Sequence, residues 1–121
     1  MNEKNSIPAQ AQLVVVGAGP GGYHAAFKAA ELGLDVTVID PEVNPGGVCL
    51  YRGCIPSKTL INAIELADAA KNAQQIGITF QDMRLDPKKL RQWTDKVVED
   101  LTGGIRALLK KRGVEVLHGR A

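Results

Sequence analysis

The stretch Leu13-Val14-Val15-Val16-Gly17-Ala18-Gly19-Pro20-Gly21-Gly22 decides the fold. Leu13 to Val16 is an apolar, mostly β-branched run, the pattern of a buried strand in a parallel sheet. Gly17, Gly19 and Gly22 follow in the spacing GxGxxG. In that spacing the first glycine makes a tight turn, the second lets backbone approach a pyrophosphate, and the third lets helix and strand pack closely. Working outward, Tyr23 to Leu32 is alanine-rich and helical in propensity, and Gly33 is a natural helix stop. Val36 to Ile39 predicts a second strand ending at Asp40. The order strand, glycine turn, helix, strand is one βαβ unit. Its helix points a positive end at phosphates, and Asp40 stands where an acid accepts hydrogen bonds from ribose hydroxyls. The motif implies a bound dinucleotide without separating NAD from FAD.

A second feature follows in Gly46-Gly47-Val48-Cys49-Leu50-Tyr51-Arg52-Gly53-Cys54-Ile55-Pro56-Ser57-Lys58. Cys49 and Cys54 are the only cysteines in the chain. On a regular helix their Cα atoms would lie roughly 8–9 Å apart, whereas a disulfide usually needs less than about 7 Å. They can join only where the backbone is irregular, and Gly53 gives that freedom. The spacing does not suit the commoner CxxC zinc pair, and no second pair completes a metal site. A thiolate that attacks a disulfide and later re-forms one is the chemistry for which cysteine is needed here. Arg52, Lys58 and a helix starting near Cys54 would all favour the thiolate.

The bulk properties narrow the class. The chain has 121 residues, 45% hydrophobic and 23% charged, with Lys+Arg 15 against Asp+Glu 13. That is an ordinary balance for one globular domain. No basic stripe favours nucleic acid or an anionic membrane, no apolar run reaches a membrane span, and no signal-peptide core follows Met1. A cytoplasmic location is expected. In that compartment a cysteine pair is more often catalytic or metal-binding than structural.

Residues 1–12 read as a flexible tail and 13–121 as the ordered part. Pro41 to Gly53 has no clean period and reads as a loop or an irregular approach to a helix. A helix from about Ile55 or Pro56 to Ala73 follows, with Leu60, Ile64 and Ala67 on one apolar face and Ile61 alongside. Asp86 is a plausible N-cap and Pro87 a plausible first residue of a third helix. Leu90, Trp93, Val97, Leu101, Ile105 and Leu108 recur along it as an expected core stripe. Gly103-Gly104 interrupts it, and close packing against a neighbouring element is the expected reason. Gly113 ends it, and Val114 to Leu117 predicts a third strand. The expected fold is α/β, a parallel three-stranded core with long helices.

These motifs resemble those of the flavin-dependent pyridine nucleotide-disulfide oxidoreductases, and within that family the cysteine run looks most like the dihydrolipoamide dehydrogenase branch. The resemblance extends from the first strand to Gly119-Arg120-Ala121. It implies a Rossmann-like FAD-binding domain. Gly17, Gly19 and Gly22 would hold the pyrophosphate. Asp40, with Pro41 after it, would take the adenosine ribose, although Glu is commoner there and one methylene of reach is missing. Gly46, Gly47 and Val48 would line the flavin's ribityl and phosphate path, Lys58 would lie by the ring, and Ala121 would meet the adenine side through its backbone. Cys49 would be the interchange thiol and Cys54 the thiol against the flavin. Tyr51-Arg52 departs from the more usual Asn-Val.

The same resemblance implies electron flow from dihydrolipoyl groups of 2-oxo acid dehydrogenase complexes or the glycine cleavage system, through the dithiol and FAD, to NAD+, in a homodimer. The family's NAD and dimerisation domains are absent from these residues, as is its catalytic histidine base. His24 and His118 match neither, so residues 1–121 alone are expected to lack NAD-linked turnover. Two other readings stay open on the sequence. One is a stand-alone FAD- or nucleotide-binding module with a vestigial dithiol. The other is a sibling reductase acting on another disulfide or on mercuric ion.

Overall fold

The computed structural model describes residues 10–121, so most of the expected tail lies outside the described residues. Within them, the side chain of Gln12 accepts a hydrogen bond from Asp35 N at 2.8 Å, and its N–H donates to Asp35 O. Three parallel strands, β1 (Leu13–Val16), β2 (Val36–Asp40) and β3 (Glu115–His118), stand in the order β1-β2-β3. The register pairs Val16 with Ile39 and Asp40 with His118. Parallel strands joined by helical crossovers are the pattern of a Rossmann-like α/β fold.

Helix α1 (Pro20–Glu31) crosses from β1 to β2 and begins three residues before the sequence pattern suggests. Pro20 serves as its first residue, a position where the missing N–H costs nothing. Gly33 ends it at φ 85°. The second crossover holds α2 (Gly47–Arg52), α3 (Cys54–Asn72), a 3-10 turn (Ala73–Ile76) and α4 (Pro87–Lys111). The expected loop between Pro41 and Gly53 therefore contains a short helix. Asp86 caps α4 by accepting from Lys88 N and Lys89 N at 2.9 and 3.1 Å.

The core is built of Ala18, Ala26, Ala29, Val36, Val38, Leu109 and Val114, where α1 and the end of α4 pack on the sheet. The expected stripe of α4 is corrected by the structure. Trp93, Leu101 and Leu108 are exposed, Trp93 to 47%. Leu90, Val97 and Ile105 of that stripe are half-buried, and the buried positions of α4 are Thr94, Thr102 and Leu109. The expected face of α3 is corrected likewise, because Leu60, Ile61 and Ile64 are exposed while Thr59 is buried. Threonine can be buried here because its hydroxyl finds a carbonyl one turn back: Thr59 bonds Ile55 O and Thr94 bonds Leu90 O. Gly103 and Gly104 are also corrected, since a Cβ at either would meet open space rather than a packed neighbour.

Candidate active site

The glycine turn is shaped by contacts that exclude side chains. A Cβ on Gly22 would run into the carbonyl oxygen of Gly17, so α1 lies against the turn as only glycine permits. Gly47 has φ 61°, and a Cβ there would come within 2.7 Å of Gly19 Cα. The two glycine segments thus press together, and Gly46 N donates to Ala18 O at 2.8 Å. Gly19 is the N-cap of α1. No side chain caps that end and no acid occupies its first turn. The free N–H groups there form a cradle suited to a pyrophosphate, so the residues present fit the dinucleotide that the sequence implies.

Asp40 closes this cradle from the end of β2. It is 7% exposed. Its Oδ2 accepts from Ala18 N at 2.5 Å and its Oδ1 from Glu42 N at 2.7 Å. Both oxygens therefore serve the local backbone. Beside it, Asp40, Pro41, Glu42, Gly47, Val48 and Arg52 line a hollow of about 220 Å³. Glu42 Oε1 accepts from Arg52 Nη2 at 3.3 Å. Past β3, Gly119 N donates to Asp40 O at 2.9 Å, and Ala121 follows two residues later, exposed.

The dithiol lies at the α2–α3 junction. Cys49 and Cys54 form a disulfide with Cα atoms 4.8 Å apart. The helical path breaks at Gly53, at φ −133° and ψ −106°, the irregularity that the spacing requires. Helix α3 restarts at Cys54, again without a side-chain cap or an acid in its first turn. Cys49 is half-buried and Cys54 exposed. Lys58, one turn after Cys54, shares its face of α3 and is exposed. Arg52, expected to support a thiolate, is instead paired with Glu42.

His24 and His118 are tied to backbone. His24 Nδ1 donates to Pro20 O at 2.7 Å, and His118 Nδ1 lies 3.4 Å from Asp40 O. A cleft of about 880 Å³ opens between α4 and the residues facing it, among them Asn44, Tyr51, Pro56 and Leu60. Asn44 Oδ1, Tyr51 OH and Thr102 Oγ1 are buried on its walls without hydrogen-bond partners among the described residues. No described helix is long and apolar enough to cross a membrane.

The Cys49–Cys54 disulfide thus stands one helix turn from the glycines that press against the start of α1. Residues 11–121 match the family model described as pyridine nucleotide-disulphide oxidoreductase. The dihydrolipoyl dehydrogenase of Vibrio cholerae is 46% identical over 110 residues, covering 91% of this chain and 23% of that protein. That of Bacillus subtilis is 47% identical over 114 residues, covering 94% and 24%. That of Halobacterium salinarum is 47% identical over 109 residues, covering 90% and 23%. The chain spans about a quarter of the length of these relatives. With its βαβ cradle, its disulfide at a helix break and a family match over nearly its whole length, the chain belongs to the pyridine nucleotide-disulphide oxidoreductases.

Proposed function

We propose that this chain is the FAD-binding, disulfide-bearing part of a dihydrolipoyl dehydrogenase. The observation that carries the reading is the Cys49–Cys54 disulfide, set at the break between α2 and α3 beside the Gly17–Gly22 and Gly46–Gly47 cradle. Gly17, Gly19, Gly22, Gly46, Gly47 and Val48 would hold the pyrophosphate and the start of the ribityl chain. Pro41, Asp40 and Ala121 would flank the adenosine half. Lys58 would lie beside the ring on the face it shares with Cys54. When bound, FAD would supply two-electron oxidation of the reduced dithiol and delivery to NAD+.

The protein's own chemistry is disulfide exchange. A thiolate of a dihydrolipoyl group attacks Cys49 Sγ, the Cys49–Cys54 bond breaks, and Cys54 leaves as a thiolate. The second substrate thiol, as its thiolate, then attacks the substrate sulfur of the mixed disulfide. That closes the oxidised lipoyl ring and releases Cys49. Two electrons pass to the protein, and the two substrate protons leave to a base. Cys54 is the better leaving group because its sulfur stands at the uncapped start of a 19-residue helix, where the helix dipole stabilises an anion. The partners of the complete protein would be lipoyl-bearing subunits and a second copy of itself, in the cytoplasm.

The test is anaerobic incubation of the complete protein with dihydrolipoamide and NAD+. NADH formation is expected, and Cys49→Ser should abolish it. Turnover of another disulfide or of mercuric ion in place of dihydrolipoamide would overturn the substrate assignment.

A further inference from the structure

We propose that Tyr51 is a positioning residue that biases the Cys49–Cys54 couple toward the dithiol, because closing the disulfide holds the Tyr51 hydroxyl buried and unpaired beside α4. The inference rests on the reading of the pair as a redox disulfide. Its ground is a cluster of unpaired groups. Among the described residues the buried side-chain polar atoms without a hydrogen-bond partner are Asn44 Oδ1, Tyr51 OH and Thr102 Oγ1. All three belong to residues that line the cleft along α4. Two of them ride on the segment that carries the first cysteine. Asn44 stands just before α2, and Tyr51 lies within α2 between the two cysteines. Thr102 belongs to α4, the helix against which α2 packs. Thr59 and Thr94 bond a carbonyl of their own helix. A tyrosine hydroxyl, at the far end of a ring, has no such local partner.

A buried hydroxyl left unpaired costs its full desolvation, whereas the same hydroxyl in water is paired. Whatever holds Tyr51 in place therefore carries that cost. The disulfide is the holder. Helix α2 has 6 residues, too few to stand as a helix by itself, and it is tied across Gly53 to the 19 residues of α3, which also pack on α4. The closed S–S bond keeps the Cα atoms of Cys49 and Cys54 at 4.8 Å. Reduction takes up two electrons and two protons, breaks the S–S bond and leaves two thiols. The two sulfurs then separate to non-bonded contact. The shorter helix yields, Tyr51 moves with it, and its hydroxyl reaches water. The desolvation cost falls on the disulfide form alone, so the couple is more oxidising than the same segment without that hydroxyl.

The experiment uses the complete protein, equilibrated without oxygen in buffers of reduced and oxidised dithiothreitol. Reduced dithiothreitol gives up two electrons and two protons and closes to its own cyclic disulfide. The reduced fraction of the protein is trapped with acid, alkylated in denaturant and read by mass spectrometry. A wild-type pair that stays oxidised at every buffer ratio refutes the redox reading itself, before any variant is compared. Given reduction, Tyr51→Phe should need about a tenfold higher ratio of reduced to oxidised dithiothreitol for half-reduction, the effect of removing one unpaired buried hydroxyl from the disulfide form. Thr102→Val removes the unpaired hydroxyl of α4, which the disulfide does not tether, and should leave that ratio within about twofold. Hydrogen exchange gives the second reading. Amides of residues 47–52 should exchange faster in the dithiol form, and those of residues 94–102 should not change. The proposal is overturned if Tyr51→Phe leaves the half-reduction ratio unchanged or lowers it, if Thr102→Val shifts it as far as Tyr51→Phe does, or if exchange over residues 47–52 is the same in both redox forms.

Discussion

Adjacent glycines in α1 should respond to alanine with opposite signs. Gly21 and Gly22 are both within the first turn of the helix (Pro20–Glu31). A Cβ built on Gly21 meets nothing within 4 Å. Gly21→Ala therefore gains only the reduced backbone entropy of the unfolded chain and should stabilise by about 0.5–1 kcal/mol. A Cβ on Gly22 collides with Gly17 O and comes within 2.9 Å of Gly17 C and 3.5 Å of a Val15 methyl. The obstacle is backbone, so no rotamer change relieves it. Nor can the turn recede, because Gly17 N is bonded to Ile39 O in the neighbouring strand at 2.7 Å. Helix α1 must lift off β1, and forced overpacking of this kind costs about 1–3 kcal/mol. Taking the upper part of that range and subtracting the entropic gain leaves a net loss of about 2 kcal/mol. The two variants should thus differ by about 3 kcal/mol, equivalent to roughly 1–3 M in urea midpoint for ordinary m-values. Equilibrium urea unfolding followed by circular dichroism reads this directly. Equal midpoints, or a Gly22→Ala variant as stable as Gly21→Ala, would refute the claim that close approach demands the third glycine.

Four further outcomes are expected. Asp86→Ala removes the cap on Lys88 N and Lys89 N and should cost about 1 kcal/mol in urea unfolding. Thr102→Val replaces a buried hydroxyl without a partner among the described residues by a methyl of similar shape and should raise stability by about 1 kcal/mol, read as a higher thermal midpoint. Arg112 bonds Glu31 at 3.2 Å and stacks 4.7 Å from the Phe27 ring centroid; Arg112→Ala should cost about 1 kcal/mol, with most of the loss persisting in high salt because the stacking is screened little. Reduction of the Cys49–Cys54 disulfide, sequence separation 5, reopens a short loop in the unfolded chain. It should lower stability by about 2 kcal/mol on the chain-entropy estimate, measured as the difference in urea unfolding with and without a thiol reductant.

What the sequence disclosed depended on how each feature is encoded. Glycines whose role is steric or conformational are written in single letters, so the Gly17–Gly22 turn, the stop at Gly33 and the break at Gly53 were legible. The Asp86-Pro87 start of α4 was legible for the same reason. The packing of α3 on α4 was not. An apolar-periodicity argument counts Trp93, Leu101 and Leu108 as core and treats Thr as polar, yet these three are exposed while Thr94 and Thr102 are buried, with Thr59 buried on α3. At Thr59 and Thr94 a hydroxyl bonded to its own helix leaves little polar demand, whereas the Thr102 hydroxyl has no partner among the described residues.

The dithiol makes two demands that a continuous helix would set against each other. Its Cα atoms must come within disulfide range, and one of its sulfurs must leave readily as a thiolate. Were α2 and α3 one helix from Gly47 to Asn72, Cys49 and Cys54 would be roughly 8–9 Å apart at Cα. Cys54 would then sit mid-helix, where every N–H is bonded to a carbonyl. The break at Gly53 removes both obstacles together. It folds the chain so that the Cα atoms approach to 4.8 Å, and it makes Cys54 the first residue of a new helix, with N–H groups that no side chain caps. A Cβ at this residue would stand 3.3 Å from Val48 O, tighter than most Cβ contacts, and in ordinary contact with Cys49 Cα at 3.5 Å. The crowding is against the very turn that carries the first cysteine. One residue without a side chain therefore couples the closeness of the sulfurs to their inequality, and it does so where the same turn begins at the glycines of the phosphate cradle.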